Sequence, residues 1–178
     1  EMIPEALAKR FAEEILNCPG VKCVTMHKPD HSNPIFPEGA EIPEWAQKTR
    51  IGLDDICGAY CKIAVTHDRV HIKETRAAIE PQFRDKFLFT TSSDALYECQ
   101  MLGSGKGDSA LRVKLMIGAH TLVCIGDYEN DFTMLRVADI SYAVGNAIDE
   151  AKRIAHRVTV PCTEHAITHM IAELEAEL

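Results

Sequence analysis

Apolar residues recur at helical steps near both ends of the chain. Ile3, Leu7, Phe11 and Ile15 share one face, with Pro4 in the first turn and Pro19-Gly20 closing the segment. This pattern predicts an amphipathic helix. At the far end Ile167, Met170, Ile171, Leu174 and Leu178 keep the same period and predict the clearest helix of all. Between the ends, β-branched and aromatic runs predict strands at 21–27, 60–66 and 86–91, and a helix at 73–83. A further helical stretch is expected around 45–59, after a proline-rich loop. Seven of the eight prolines precede residue 95, four of them from Pro29 to Pro43.

From residue 96 the pattern becomes more regular. Strands are expected at 96–101, 121–125, 140–144 and 157–160, and helices at 106–117, 130–137 and 147–155, joined by short connections. The helix at 106–117 would carry Leu111 and Leu115 on one face. Such alternation implies a parallel sheet covered by helices. The fold class is therefore α/β. Residues 1–95 are expected to form an α+β domain and residues 96–178 part of a doubly wound parallel-sheet core, partial because three or four strands do not complete one.

Composition narrows the function classes. The 178 residues carry 19 basic and 27 acidic side chains, a net charge of −8, with no basic arm, which argues against nucleic acid as a partner. A chain of this length buries roughly 70% of its unfolded surface and needs no metal or disulfide to fold. No apolar run approaches the ~20 residues of a membrane span. Seven cysteines without paired spacing argue against a disulfide framework and point to a reduced, cytoplasmic protein. The chain begins at Glu1 and has no basic-then-apolar leader, so neither a secretory precursor nor an intact translation start is expected.

Two segments carry candidate chemistry. In Leu122-Val123-Cys124-Ile125-Gly126-Asp127-Tyr128-Glu129-Asn130-Asp131 an apolar strand ends at a glycine and a carboxylate follows at once. Ligands of open parallel sheets sit beyond the carboxyl ends of the strands. Asp127 could instead cap the next helix, but three acids and an amide within five residues suit a magnesium site, since hard cations take oxygen ligands. Upstream, Gly103-Ser104-Gly105-Lys106-Gly107 opens a helix, where backbone amides and a lysine can approach an anion. It is not a nucleotide P-loop, because Gln100 and Gly107 stand where that motif requires glycine and a hydroxyl residue. A lysine in the first turn opposes the helix dipole, which makes a purely structural role less natural and leaves a solvated lysine as the alternative.

Three weaker constellations complete the survey. Cys57, Cys61, His67 and His71 offer zinc-type ligands, but the intervening strand would send them apart. His165 and His169 stand four residues apart as in zinc peptidases, with Ala166 where the glutamate base belongs. Trp45 beside the proline-rich loop fits either a domain core or a substrate-facing position.

Gly105-Lys106-Gly107 with Ala110-Leu111, then Gly126-Asp127-x-x-Asn130-Asp131 with Met134-Leu135, then Ala143-Val144-Gly145-Asn146-Ala147, resemble in order and spacing the haloacid dehalogenase superfamily. The match is to its Cof-type phosphatases, which insert a large cap between the halves of the core. The resemblance covers residues 86–178 well and residues 1–85 as a plausible cap. It implies a Mg2+-dependent phosphatase of small phosphorylated metabolites such as sugar phosphates, working through an aspartyl-phosphate intermediate. In that scheme Lys106 neutralises the phosphate and the nucleophile, and Asp127 binds magnesium. Asn130 contacts the phosphate or organises the loop, and Asp131 supports Lys106 or the metal shell.

The departure lies in what is missing. The family's nucleophile and general acid sit in an Asp-x-Asp-Gly-Thr motif, and a hydroxyl residue follows on the second strand; neither motif is present in the chain. Asp68 is followed two residues later by Val70. Asp127-x-Glu129 has carboxylate spacing, but its surroundings fit the later metal motif better. Ala166 also stands where a glycine is usual, which leaves the loop near Thr163 open. The expectation is a cap plus the C-terminal half of the core, inactive alone, whose partner is the absent N-terminal core segment. The alternative is a non-catalytic phosphate-binding or regulatory module derived from such a phosphatase.

Overall fold

The computed structural model describes residues 1–177, in two compact units that divide between Ser104 and Gly105. The first unit holds helices α1 (Glu5–Leu16) and α2 (Ile72–Phe83) and strands β1 (Val21–His27), β2 (Ser32–Ile35), β3 (Lys62–His67), β4 (Phe87–Ser93) and β5 (Leu96–Met101). The strands form one antiparallel sheet in the order β2-β1-β3-β5-β4. Side chains alternate across it. Val24, Met26, Ile63, Val65, Tyr97 and Cys99 turn toward the helices, where Phe11, Ile15, Ile79 and Phe83 complete one core. Phe11 packs edge-on against Phe83 and Phe87, with centroids 5.4 Å away in each case. Among the described residues of this unit no helix covers the opposite face, which carries Thr25, His27, Lys62 and Glu98. There Lys62 Nζ donates to Glu98 Oε1 at 2.5 Å.

Three expectations are corrected in this unit. Leu96–Met101 does not open the parallel half: a two-residue turn folds it back on β4, and it also pairs with β3 through Ile63 and Cys99. The unit therefore ends at Ser104 rather than at residue 95. The proline-rich loop contains a strand, β2, whose Pro34 is tolerated because β2 lies at the sheet edge. Residues 45–59 do not form a helix. Pro43, Gly52 and Gly58, the last with φ of +70°, limit them to single 3-10 turns at Glu44–Ala46 and Leu53–Asp55.

The second unit contains helices α3 (Lys106–Met116), α4 (Phe132–Val137), α5 (Asp149–Ile154) and α6 (Ala166–Glu175) and strands β6 (Val123–Gly126), β7 (Ile140–Ala143) and β8 (Arg157–Val158). The strands form a parallel sheet in the order β6-β7-β8, as the alternation of strand and helix predicts. Leu135, Ala143, Val144, Ala147, Ala151 and Ala166 form its small core. The expected apolar face of α3 is not buried: Leu115 and Met116 are 80% and 83% exposed. The reason is that α3 docks through its first turn, where Gly107 meets Thr133. A Cβ on Gly107 would lie 2.6 Å from the Thr133 carbonyl oxygen. On α6, Ile167 and Ile171 are also exposed; Leu178, the last member of that stripe, lies outside the described residues.

Candidate active site

β6 runs out at Gly126, and the chain turns there under tight constraint. A Cβ on Gly126 would lie 2.6 Å from the Asp131 Cβ, so glycine lets the 3-10 turn Glu129–Asp131 fold back against the strand end. Asp131 is buried at 4% exposure. Its Oδ2 accepts the Asp127 amide N–H at 2.9 Å, and its Oδ1 takes the Lys106 ammonium in a short ion pair. Val144 N–H donates to the Gly126 carbonyl at 3.2 Å and Ile148 N–H to the Asp127 carbonyl at 3.1 Å, fixing the turn after β7 beside the end of β6.

Lys106 is the first residue of α3. An isolated ammonium is unfavourable at a helix N-terminus, and the buried Asp131 carboxylate compensates it across 25 residues of sequence. Gly107 N–H donates to Thr133 Oγ1 at 3.2 Å and anchors the same turn. Lys106, Asp127 and Asp131 line one cavity of about 710 Å3. Three of the four expected site residues are thus brought together at the carboxyl end of a parallel strand. Asn130 is not. It is half-buried in the 3-10 turn and does not line the cavity, because successive residues of such a turn point about 120° apart and Asp131 takes the inward direction.

The two aspartates are driven in opposite directions. Asp127 is exposed, but desolvation by the surrounding walls, followed by the neighbouring Asp131 carboxylate, pushes its carboxyl above the ordinary range, with Lys106 pulling the other way. Burial alone would also raise Asp131. Lys106 and the Asp127 amide together outweigh that and hold it below the usual carboxylate range. Asp127 itself lies on the cavity wall.

Other residues reach the site that local pattern did not single out for it. Cys162 and His165, delivered by the loop before α6, and Thr168 in the first turn of α6 also line the cavity. Asn146 Oδ1 accepts the Cys162 amide N–H at 2.8 Å, and Gly145 N–H donates to the Val160 carbonyl at 3.0 Å. The Gly-Asn-Ala turn thereby holds that loop in place. His165 has φ of +58°, the one left-handed non-glycine residue among those described. That conformation puts it outside α6, so it does not share a helical face with His169. The other histidine constellation is structural too. His67 Nδ1 donates to the Asp68 carbonyl and its Nε2 lies 2.8 Å from Thr75 Oγ1. Among the described residues no cluster of three or more His, Cys, Asp or Glu side chains could hold a metal ion, no helix is long and apolar enough to cross a membrane, and the seven cysteines are free.

Comparison with known proteins agrees with this geometry. Residues 31–171 match the family model of the haloacid dehalogenase-like hydrolases. The 5-amino-6-(5-phospho-D-ribitylamino)uracil phosphatase YwtE of Bacillus subtilis is 32% identical over 104 residues, covering 57% of this chain and 36% of YwtE. Phosphoglycolate phosphatase 2 of Saccharolobus solfataricus is 45% identical over 58 residues, covering 32% of this chain and 25% of that protein. The matched part therefore spans about a third or less of these relatives. Among solved structures, the subclass IIB sugar phosphatase BT4131 superposes with a TM-score of 0.77 at 17% identity, over 98% of this chain and 68% of that one. The order of the lysine, aspartate and Gly-Asn turns, the parallel strands that carry them and the match over 31–171 have one account: the chain belongs to the haloacid dehalogenase-like hydrolases.

Proposed function

We propose that this chain supplies the cap and the C-terminal core half of a Mg2+-dependent phosphatase acting on small phosphorylated metabolites. The observation that carries the reading is the Lys106–Asp131 ion pair set beside the exposed Asp127 carboxylate on one cavity. A phosphate ester is dianionic, and an attacking carboxylate is repelled by about 4 kcal/mol per charge pair at 4 Å with an effective dielectric near 20. Lys106 offsets that repulsion and stays aimed because Asp131 holds it. Asp131 is the positioning residue, and Asn130 organises the turn from its outer side. The donor set suits magnesium, which takes one or two carboxylates and keeps waters and substrate oxygens. Asp127, with Asp131 behind it, would hold the ion, and the crowding that raises the Asp127 carboxyl is what a cation relieves. When bound, magnesium supplies electrostatic stabilisation of the transferring phosphoryl group.

The nucleophile belongs to a core segment outside these 178 residues. Two features support that part of the reading: the exposed apolar half of α3, and the position of β6 at one edge of the three-stranded sheet, where it is free to take another strand. Residues 1–104 act as the cap that selects the alcohol half of the ester. The test is a phosphatase assay of the full-length protein with p-nitrophenyl phosphate and Mg2+. Asp127→Ala is expected to lower kcat by about 100-fold or more, and the 178-residue chain alone to show no Mg2+-dependent turnover. Normal activity in Asp127→Ala overturns the site assignment, and hydrolysis by the isolated chain overturns the assignment of the nucleophile to another segment.

A further inference from the structure

The first unit contains a second cavity, of about 600 Å3, formed where the loop after β2 passes over the helix-free face of the sheet. Its floor is the cross-strand pair Cys23 and Thr66. Its walls carry Phe36, Pro37, Pro43 and Trp45. Trp45 is the only tryptophan of the chain, and it is 67% exposed. It is not exposed through looseness of the loop. The adjacent Ala46 is fully buried; its carbonyl accepts the Arg50 amide at 2.9 Å, and its own amide donates to the Pro43 carbonyl at 3.0 Å. Asn33 Nδ2 donates to the Thr49 carbonyl at 2.9 Å, and Ile51 N–H to the Pro34 carbonyl at 3.1 Å. A pinned 3-10 turn that buries Ala46 must turn its neighbour outward, and the largest apolar side chain of the protein occupies that outward position.

Phe36 and Trp45 form a tilted pair in contact, with centroids 6.3 Å apart and planes inclined by 54°, so together they make one aromatic wall, of which Trp45 is the exposed part. Two prolines and two aromatic rings make walls that lose little conformational entropy on binding, and the volume lies in the range of small-molecule sites. The floor offers one thiol, which burial pushes up and so keeps un-ionised, and one hydroxyl, and Lys22, Glu38 and Glu41 add charged groups to the lining. A flat ring lays its face on the aromatic wall and directs its edge to those groups, whereas an open-chain polyol has no flat face to stack.

We propose that this cavity is a binding site for a planar aromatic or heteroaromatic ring, stacked against the Phe36–Trp45 wall over the Cys23–Thr66 floor. The ring rests on the phosphatase reading only for its further assignment to the alcohol half of the ester; the binding itself is independent of it.

The single indole N–H of Trp45 gives one well-separated cross-peak in a 1H–15N correlation spectrum, and the probes are pyridoxine and uracil against glucose and ribitol. The two planar probes are expected to shift that peak saturably at about millimolar concentration or below, and the polyols to leave it in place. Thr66→Tyr, which fills the floor from an exposed strand position and leaves the indole as reporter, is expected to weaken pyridoxine at least tenfold. Trp45→Leu, followed by saturation transfer to the ligand, is expected to do the same with an otherwise unchanged spectrum. The proposal is overturned if pyridoxine and uracil cause no shift at 10 millimolar, a concentration about tenfold above the expected constant, or if the polyols shift the peak equally. It is also overturned if both folded variants bind as the parent does. Ring binding without phosphatase activity defeats only the functional reading, and activity without ring binding defeats only this one.

Discussion

Replacing Lys106 by methionine tests the electrostatic arrangement directly. The substitution keeps the length and apolar stem of the side chain but deletes the ammonium that Asp131 Oδ1 accepts. Asp131 would retain the Asp127 amide at 2.9 Å on Oδ2 and lose the cation paired with it. Breaking a fully buried pair costs about 3–5 kcal/mol, and an exposed pair is worth about 0–1 kcal/mol. Here the carboxylate is 6% exposed and the lysine 47%, so water replaces much of what the ammonium supplied, and the cost falls between these limits at about 1–2 kcal/mol. The assay is urea unfolding of Lys106→Met, Asp131→Asn and the double variant, read as a thermodynamic cycle. A coupling of about 1–2 kcal/mol is expected at pH 7. Its pH dependence has a definite sign. The folded-state carboxyl of Asp131 is held below its ordinary value of 3.8, so the stabilisation is complete above that value and disappears as pH falls through the lower folded value. A coupling below about 0.3 kcal/mol, within the scatter of independent sites, would refute the claim that this pair holds the site together.

Two further outcomes follow from the same structure. Gly126→Ala places a Cβ 2.6 Å from that of Asp131; it is expected to cost about 1–3 kcal/mol in urea unfolding and to lower kcat of the full-length protein, whereas unchanged values for both would contradict the close approach. Asp68 accepts the Val70 and His71 amides and faces His71 Nδ1 at 2.8 Å, which holds its carboxyl down at about 2. The first unit should therefore lose stability as pH falls from about 4 toward 2, and Asp68→Asn should flatten that part of the curve in acid-dependent thermal unfolding; an unflattened curve assigns the acid sensitivity elsewhere.

The second unit was legible because its signals are local. Each short apolar run in residues 121–160 ends at a glycine or a polar turn and is followed by a helix-forming segment. Strands β6, β7 and β8 and helices α4 and α5 consequently lie within a few residues of where the pattern put them. In the first unit the pattern misled wherever pairing partners decided the outcome. Ser32-Asn33-Pro34-Ile35 has no alternation and contains a proline, so nothing local marks it as a strand; four residues of β1 make it one. Leu96–Met101 looks the same whether it enters a parallel or an antiparallel sheet, and only the turn at Asp94-Ala95 hinted at a hairpin. Cys162 and Thr168 carried no motif at all, while His165 was noticed for the wrong partnership.

By itself, the sequence determined the family, because a lysine, an aspartate pair and a Gly-Asn turn in fixed order form a one-dimensional signature. Tertiary structure alone decided which of them meet. Lys106 and Asp131 join because Gly107 and Gly126 let α3 and the turn after β6 approach to contact, while Asn130, adjacent in sequence, is turned away by the geometry of a single 3-10 turn. It also decided exposure. The apolar stripes of α3 and α6 read as core, yet a residue is buried only when another surface covers it, and periodicity records which face is apolar without recording what stands opposite.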